Sequence, residues 1–439
     1  MKHRLISCSL LLLEVVAVIM FPVALSGRSV ADSPIILSFS ASDLPMIREP
    51  HLFPVSFDWA PDSKRIAVEF RARHETGTAA IWVAIWQTAN KRLINQCHVD
   101  ELSNSEAENL ELRSELRYSS DGKTLVVLTG PRIVLLSASD CTNRAVLSAP
   151  RIAPRRNDHV ESSSVAPSVT IRMFDISANP GYIAFVSDDA SYKWPDIKWS
   201  TSPHSIVQVV DLNNAALIRE FSFAGTVSFL AMPPAARYVA LTGRFADAQS
   251  GGDIVLLDVQ QGTRAKELRS TLSSWPSPTL GGVPIAFSSD SELIAAPTRD
   301  TSSSGRYIGR TLKIIDVPSG KVVRELRAHH FGPLGTLAVA SHAPIVASIS
   351  FWESPRQVLS DYGPAKTRSE LIVFRLTDGK SYHLGRPLLA GAFSFTLDQF
   401  AMRLSPDGSV AGLFQGNQVS VYEIPPAILD VGKNGSPSK

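Results

Sequence analysis

The segment MRLSPDGSVAGLFQGNQVSVYEI, from Met402 to Ile424, decides the fold of this 439-residue chain. It reads as a short apolar strand, an S-P-D-G turn, a second apolar strand, a Gly-Asn turn and a third apolar strand. Asp and Asn side chains bond to nearby backbone amides and Gly accepts a positive φ, so both turns have a physical basis. The fold depends on whether this segment stands alone or is one copy of a repeat.

The first two strands and their turn recur six more times upstream. The turn residues that align with Asp407 are spaced by 52 residues (Asp290 to His342) up to 65 residues (His342 to Asp407). The copies are FDWAPDSKRIAV from Phe57, LRYSSDGKTLVV from Leu116, FDISANPGYIAF from Phe174, FLAMPPAARYVAL from Phe229, IAFSSDSELIAA from Ile285 and LAVASHAPIVAS from Leu337.

A third strand follows each pair, and several copies add a fourth, more polar strand. The third strands are apolar on both faces, as in DIVLLDV from Asp253, whereas VVRELRA from Val322 is a typical fourth strand. Strands with two apolar faces belong in sheets that are covered on both sides. Seven such units predict an all-β fold, a seven-bladed β-propeller with four-stranded antiparallel blades.

The last unit has no fourth strand of its own after Ile424. An unassigned strand, PIILSFSA from Pro34, precedes the first unit. We expect this N-terminal strand to close the last blade, so that one sheet is built from both chain ends. The predicted propeller domain is 32–426, followed by a flexible C-terminal tail at 427–439.

This pattern resembles the WD-repeat-like propeller family, in a degenerate form found in exported bacterial proteins. The S-P-D-G turn at Ser405–Gly408 matches the family's inner turn, and VVDL, LLDV and IIDV stand where the family has Trp-Asp. The chain lacks the Trp-Asp dipeptide itself, and Ala328–His330 replaces the family's Gly-His. The resemblance covers nearly all of the chain after residue 31 and implies a propeller, but not the family's His–Asp network.

Residues 1–31 have the pattern of a signal peptide. Basic residues precede an apolar stretch from Leu5 to Leu25, and Ser29 and Ala31 supply small residues at a cleavage site before Asp32. The alternative is an uncleaved membrane anchor, because the stretch is close to spanning length. We therefore expect an exported protein, periplasmic or secreted, with membrane contact only if the signal is retained.

Cys97 and Cys141 are the cysteines that follow the signal peptide. An exported compartment permits a disulfide. Cys97, however, lies about six residues into an outer strand, roughly 20 Å beyond its first turn. Cys141 lies in the equivalent turn of the next unit, and a bridge requires Cα atoms within about 7 Å. We expect these cysteines to be unpaired.

Composition and motifs argue against several functions. The net charge is +2 and no basic block occurs, so nucleic acid is not an expected partner. The chain has no G-x-S-x-G, H-E-x-x-H, C-x-x-C or P-loop motif. We predict no catalytic residue, no metal ligand and no cofactor.

Two groups of residues are candidates for binding. The first group lies on or beside the innermost strands and would line the central channel. It consists of Asp58, Arg117, Asp175 and Arg403. Their opposite charges either hold a small ligand or ion or form compensating ion pairs.

The second group lies in the long loops, which all emerge on one predicted face. Exposed aromatic and Arg side chains there would form an interface. The alternative is that the Trp side chains cover blade edges. The predicted partner-binding residues are Tyr192, Trp194, Trp199, Trp275, Arg306, Tyr307, Trp352, Arg356 and Tyr362.

The sequence therefore predicts a monomeric, non-catalytic binding or scaffold module. Its partner would be a protein, or alternatively a glycan or peptide, held on the loop-rich face. A second hypothesis is an enzyme at the channel mouth, of the propeller lactonase or quinoprotein type. A third is a structural role in an envelope complex if the signal is uncleaved. The fold alone does not decide among them.

Overall fold

The computed structural model of the protein describes residues 35–45, 47, 52–104, 106, 115–150, 169–189, 204–245, 254–268, 285–301, 307–327, 334–351, 367–384, 388–389, 402–415 and 418–429. Within these ranges β-strand is the main secondary structure, with one 3-10 turn at Ala41–Asp43, helical residues at 104 and 106, and a short helix, α1, at Pro426–Leu429.

The strands of the N-terminal half are β1 (Ile35–Ser40), β2 (Phe53–Trp59), β3 (Arg65–Arg73), β4 (Ala79–Gln87), β5 (Arg92–Leu102), β6 (Leu116–Tyr118), β7 (Thr124–Leu128), β8 (Arg132–Ser137), β9 (Asn143–Ser148), β10 (Val169–Ile176), β11 (Tyr182–Asp189), β12 (His204–Asp211) and β13 (Leu217–Ala231).

The strands of the C-terminal half are β14 (Tyr238–Phe245), β15 (Ile254–Asp258), β16 (Thr263–Leu268), β17 (Ala286–Phe287), β18 (Leu293–Thr301), β19 (Tyr307–Asp316), β20 (Val322–Arg327), β21 (Leu334–Val339), β22 (Ile345–Phe351), β23 (Thr367–Arg375), β24 (Ser381–His383), β25 (Leu388–Leu389), β26 (Met402–Leu404), β27 (Val410–Gln415) and β28 (Gln418–Glu423).

The described strands form six antiparallel sheets, mostly of four strands. Within each sheet the strands follow sequence order, except that β1 joins β28, and β25 pairs with β23 at the side of its sheet. This arrangement is β-propeller-like. The strand orders are β2-β3-β4-β5, β6-β7-β8-β9, β10 through β16 in sequence, β17-β18-β19-β20, β21-β22-β23-β24 and β1-β28-β27-β26.

The predicted N-terminal closing strand is confirmed. β1 pairs antiparallel with β28, and Phe39 lies opposite Val419. A second link between the chain ends is the backbone N–H of Asp407, which donates to Ser63 Oγ at 3.3 Å. The first and last parts of the repeat are therefore in direct contact.

One long strand, β13, belongs to two successive four-strand units, where the sequence analysis expected separate strands. It pairs with β12 up to Ala224 and with β14 from Gly225 onward. Gly225 has φ 137°, a conformation that only glycine adopts readily. A Cβ at Gly243 of β14 would lie 2.1 Å from the carbonyl oxygen of Thr226, so this close strand approach also requires glycine.

The sheets are apolar on both faces, as the sequence predicts. Ile66 and Val68 of β3 pack toward one side, and Ala67 packs toward the other. All five residues of β15 are buried. The outer strand β9 is largely exposed, because only one neighbouring strand covers it.

Each apolar cluster lies between two consecutive units. One cluster joins Val83 of β4 to Leu125 of β7, and another joins Phe57 of β2 to Phe414 of β27, whose rings are 5.2 Å apart. In the described residues there are seven such clusters, and together they connect every unit to the next. The last cluster connects the sheet that holds β1 to the sheet that begins with β2.

The polar turns between first and second strands are closed by side chains. Ser119 Oγ donates to Asp121 Oδ1 at 2.6 Å, and the same carboxylate oxygen accepts the Lys123 N–H at 3.0 Å. The Thr124 N–H donates to Ser119 Oγ at 2.9 Å. Ser288 with Asp290, and Ser405 with Asp407, repeat this arrangement.

The Asp residues of VVDL, LLDV and IIDV have a local role. Each ends a third strand and accepts a backbone N–H from the turn to the fourth strand. The pairs are Asp211 with Asn213 at 2.8 Å, Asp258 with Gln261 at 2.8 Å and Asp316 with Ser319 at 2.6 Å.

The packed part of the chain continues past residue 426. Ile428 of α1 is buried against the sheet of β26 to β28, and the Arg375 guanidinium donates to its carbonyl at 3.4 Å. No helix among the described residues is long and apolar enough to cross a membrane.

The expectation that the cysteines are unpaired is wrong. Cys97 and Cys141 form a disulfide with S–S 2.01 Å and Cα–Cα 5.3 Å. The expected separation of roughly 20 Å between the two cysteines assumed that equivalent turns of neighbouring sheets lie at the same height. Strands and sheets are twisted, however, so the turns are displaced. The turn after β8 instead lies over the middle of β5, where Asn95 donates to the Ser139 carbonyl at 3.1 Å. Two bulges in the β4–β5 ladder bend β5 further.

The disulfide provides a stability prediction. The double variant Cys97→Ser/Cys141→Ser should lose about 2–4 kcal/mol of unfolding free energy, because the bridge restricts the unfolded chain. Urea denaturation, followed by tryptophan fluorescence, measures this loss. Reductant should bring the native protein to the stability of the double variant and leave the variant unchanged. A native protein that is insensitive to reductant would contradict the prediction.

Candidate functional site

The predicted partner-binding residues fall outside what the structure describes. Eight of them lie in undescribed segments, and Tyr307 begins β19 but its side chain is not described. Their role in partner binding stays a prediction. The predicted channel residues Asp58, Arg117, Asp175 and Arg403 all lie on described strands, and the structure brings them together.

Asp58, Arg117, Asp175 and Arg403 occupy one equivalent position of the repeat. Each lies on the first strand of its unit, opposite a small or β-branched residue of the second strand. The register pairs at this position, in chain order, are Asp58 with Ala67, Arg117 with Val126, Asp175 with Ala184, Ala231 with Ala240, Ala286 with Ala295, Ala338 with Ala347, and Arg403 with Gly412.

Glu115 links these charged side chains. Its Oε1 lies 3.1 Å from Arg117 Nη2 and 3.6 Å from Arg403 Nη2. Arg117 Nη2 also lies 3.7 Å from Asp175 Oδ1. We call Asp58, Glu115, Arg117, Asp175 and Arg403 the inner-strand cluster.

The three carboxylates of the inner-strand cluster also tie the units of β2, β6 and β10 to the unit that follows each of them. In every case one oxygen accepts a backbone N–H at the following first strand, and Met232 lies directly after the end of β13. The pairs are Asp58 Oδ2 with Tyr118 N at 2.8 Å, Glu115 Oε2 with Phe174 N at 3.1 Å and Asp175 Oδ2 with Met232 N at 2.8 Å. A charge-assisted bond of this kind is stronger than one between neutral groups, so it fixes the approach of neighbouring first strands.

The electrostatics of the inner-strand cluster are set by burial. Burial raises the pKa of Asp58 and of Glu115, against the opposing effect of Arg117 and Arg403. Burial together with the like charge of Arg117 lowers the pKa of Arg403 to about 10, so this guanidinium is protonated at neutral pH. For Arg117 the neighbouring acids outweigh burial, and its pKa is raised.

The cluster residues are deep in the protein but not sealed. Exposed fractions of the side chains are 17% for Glu115, 20% for Arg117, 22% for Asp175 and 20% for Arg403. Each of these side chains therefore keeps about a fifth of its surface accessible to solvent. A small molecule that reached these surfaces would contact both signs of charge.

Glu115 was missed by the sequence analysis because it ends an acidic stretch, 100–115, that reads as solvated surface. A signal was available. Glu115 precedes Arg117 by two positions, and alternate residues of an extended strand share a face. Its side chain therefore points to the same side as that of Arg117.

A metal centre is not evident in the part of the chain that is described. No group of three or more His, Cys, Asp or Glu side chains there is arranged to hold a metal ion. The inner-strand cluster instead combines three carboxylates with two guanidinium groups, a set suited to polar ligands that carry charge.

Comparisons with known proteins support the fold and nothing finer. No family model matches the chain, and no curated protein matches it. A chain in a crystal structure of the mitotic checkpoint complex is similar with TM-score 0.53 and 12% identity, over 96% of this chain and 99% of that chain. A chain of Kuenenia stuttgartiensis hydrazine synthase is similar with TM-score 0.52 and 11% identity, over 88% and 99%. These likenesses support a propeller fold.

Glu115 offers a direct test of the cluster. Glu115→Gln and Arg403→Met should show a coupling energy of about 0.5–3 kcal/mol in the free energy of unfolding, because Glu115 is the counter-charge shared by Arg117 and Arg403. Urea denaturation measures the change, with the exposed Glu423→Gln as control. The double variant Glu115→Gln/Arg403→Met should lose less than the sum of its single changes, as expected for coupled groups. Additive losses would contradict the ion-pair network.

The raised pKa of Asp58 predicts a pH dependence. An acid whose pKa is higher in the folded than in the unfolded protein stabilises the fold when it is protonated in both states. For Asp58 this stabilisation is complete below its ordinary pKa of 3.8, and it is lost as the pH rises through the raised pKa of the folded state. Compared with Asp58→Asn, the native protein should therefore lose relative stability as pH rises from about 3.8.

Asp121→Asn is the matched control for this dependence. Despite partial burial, bonds from Ser119 and Lys123 lower the pKa of Asp121, so its contribution is lost as pH falls. Denaturant midpoints measured from pH 3 to pH 8 should show opposite slopes for the two variants relative to the native protein. Equal slopes would show that the pKa of Asp58 is not raised.

Proposed function

We propose that the protein is an exported seven-bladed β-propeller that acts as a non-catalytic binding module for another protein. The blade count is supported by the strand pairing and the apolar clusters. Counting β13 in two sheets gives seven four-strand units within the described residues, and the sheet of β1 and β28 packs on the first unit. A closed ring leaves no apolar face without a neighbour.

The division between the two ends of the sheets supports recognition on one face. Antiparallel strands reverse at every connection, so successive connections leave at opposite ends. The connections at one end are short turns, such as 60–64 and 88–91. The long connections, such as 149–168, 190–203 and 352–366, all leave at the other end. This segregation is the observation that carries the proposal, because surface loops on a rigid scaffold are the usual position for binding residues.

The partner-binding residues would be the aromatic and Arg side chains of these long connections. Trp194 and Trp199 lie within 190–203, and Trp352 and Arg356 lie within 352–366. Buried Trp, Tyr and Arg side chains supply most of the binding energy in known interfaces. A rigid ring holds its loop ends in place, so less ordering entropy is lost when a partner binds.

Export is part of the proposal. The signal-peptide pattern at 1–31 supports it, and the Cys97–Cys141 disulfide fits an oxidising compartment. Mass determination of the protein from its native host would show whether the chain begins at Asp32.

Affinity capture tests the binding face. The bait is the chain from Asp32, immobilised and incubated with envelope and culture-medium extract of the source organism. The triple variant Trp194→Ala/Trp199→Ala/Trp352→Ala should lose the captured protein, because it removes the aromatic anchors. The matched control changes exposed residues at the short-turn end, Asn90→Ala/Lys123→Ala/Lys321→Ala, and should capture it as the native chain does.

Two outcomes would contradict the proposal. If the triple Trp variant is folded and still captures the same protein, the long-connection face is not the binding face. If the native chain captures no protein from either extract, the binding module is not supported. Equal thermal unfolding midpoints of the three baits establish that the comparison concerns binding and not folding.

A further inference from the structure

We infer that the inner-strand cluster binds a small zwitterion, a molecule that carries one carboxylate and one ammonium group a few ångströms apart. The site would lie at the centre of the closed ring described in the proposed function. It would be separate from the long-connection face, so a protein partner and this ligand would use different residues.

The order of the charges selects a zwitterion. Along the succession of first strands β26, β2, β6 and β10, the equivalent position holds Arg403, Asp58, Arg117 and Asp175. The sign alternates at every step. A simple anion would meet a carboxylate beside each guanidinium, and a simple cation would meet a guanidinium beside each carboxylate. Only a ligand with both signs gains attraction from both kinds of side chain.

The other three first strands carry no charge at this position. The same register position on β13, β17 and β21 holds Ala231, Ala286 and Ala338. Ala231 and Ala338 are buried in the apolar clusters between neighbouring sheets, and Ala286 is half-buried. The charged contacts that a ligand could make are therefore confined to the first strands β26, β2, β6 and β10.

The cluster keeps hydrogen-bonding capacity that its own members do not use. The contacts from Arg403 to Glu115, 3.6 Å, and from Arg117 to Asp175, 3.7 Å, are longer than hydrogen bonds. Nε of Arg117 and Nε of Arg403 are buried and have no partner among the described residues. Buried donors are nearly always paired. We therefore expect a ligand oxygen to accept hydrogen bonds from these two N–H groups.

The geometry gives each half of the ligand a position. The ligand carboxylate would accept hydrogen bonds from the Arg117 and Arg403 guanidinium groups. The ammonium group would lie beside Asp175, whose Oδ2 is already held by the Met232 N–H while Oδ1 faces the charged groups. Because each cluster carboxylate is fixed to the next first strand by one oxygen, the site is formed before the ligand arrives.

Isothermal titration calorimetry of the chain from Asp32, at low ionic strength, tests the inference. The probes are glycine, β-alanine and 4-aminobutanoate, which place the two charges at increasing separation. At least one should bind saturably. Acetate and methylammonium, each carrying one half of the ligand, should bind at least about tenfold more weakly, a difference of about 1.4 kcal/mol.

Variants locate the site. Arg403→Met and Asp175→Asn should each weaken binding of the best probe by about tenfold or more, because each removes one of the two charge contacts. The control Asp62→Asn/Arg65→Met removes an ion pair at the short-turn end, whose charged atoms are 3.2 Å apart, and should leave the affinity unchanged.

Three results would overturn the inference. If none of the three zwitterions binds the folded native protein, the cluster is a self-compensating ion-pair network. If acetate or methylammonium binds as tightly as the zwitterions, the site recognises a single charge. If Arg403→Met and Asp175→Asn keep full affinity while their thermal unfolding midpoints equal that of the native protein, the ligand binds elsewhere.

Discussion

The structure depends on one constraint, which is that its sheets are apolar on both faces. A strand such as β15, with every residue buried, requires a neighbouring sheet on each side. In a linear array the first and last sheets would each leave one face in water. The pairing of β1 with β28 and the packing of Phe57 on Phe414 bring those two faces together. β1 and β28 are therefore part of the hydrophobic core, and removal of either strand would expose the first sheet as well as the last.

The same constraint explains why charge is found deep inside the molecule. Radially arranged sheets bring their first strands close together, and alternate residues of those strands turn away from the apolar interfaces. Polar backbone and side-chain groups at that position need partners other than bulk water. The inner-strand cluster supplies such partners, because one oxygen of each carboxylate accepts a backbone N–H from the following unit. Asp58 accepts from Tyr118, and Asp175 accepts from Met232. Neighbouring sheets are thus joined by apolar packing along their faces and by charge-assisted bonds at their inner edge.

The sequence was sufficient for features that depend on local chemistry. The Ser and Asp turns, the two-faced strands and the missing fourth strand after Ile424 are all encoded within a few residues of each other. The features that were missed depend on how sheets lie against each other. The Cys97–Cys141 bridge follows from sheet twist and from the bulges of β5, and neither can be measured by counting residues along a strand. Glu115 takes its role from Arg117 and Arg403, and Arg403 lies at the other end of the sequence. The continuity of β13 rests on the φ of Gly225, a backbone property that the residue type permits but does not require.

The distribution of side chains around the first strands bears on whether the inner-strand cluster is only structural. A network that merely compensates its own charge gains most when its ion pairs close to hydrogen-bond length. Here two of the three contacts that Arg117 and Arg403 make with carboxylates remain longer than that, and both Nε atoms lack a described acceptor. The equivalent positions on the other first strands hold Ala231, Ala286 and Ala338, which cannot pair with these charges. The contacts among the described residues therefore leave part of the hydrogen-bonding capacity of the inner-strand cluster unused, and the zwitterion proposed above would use it.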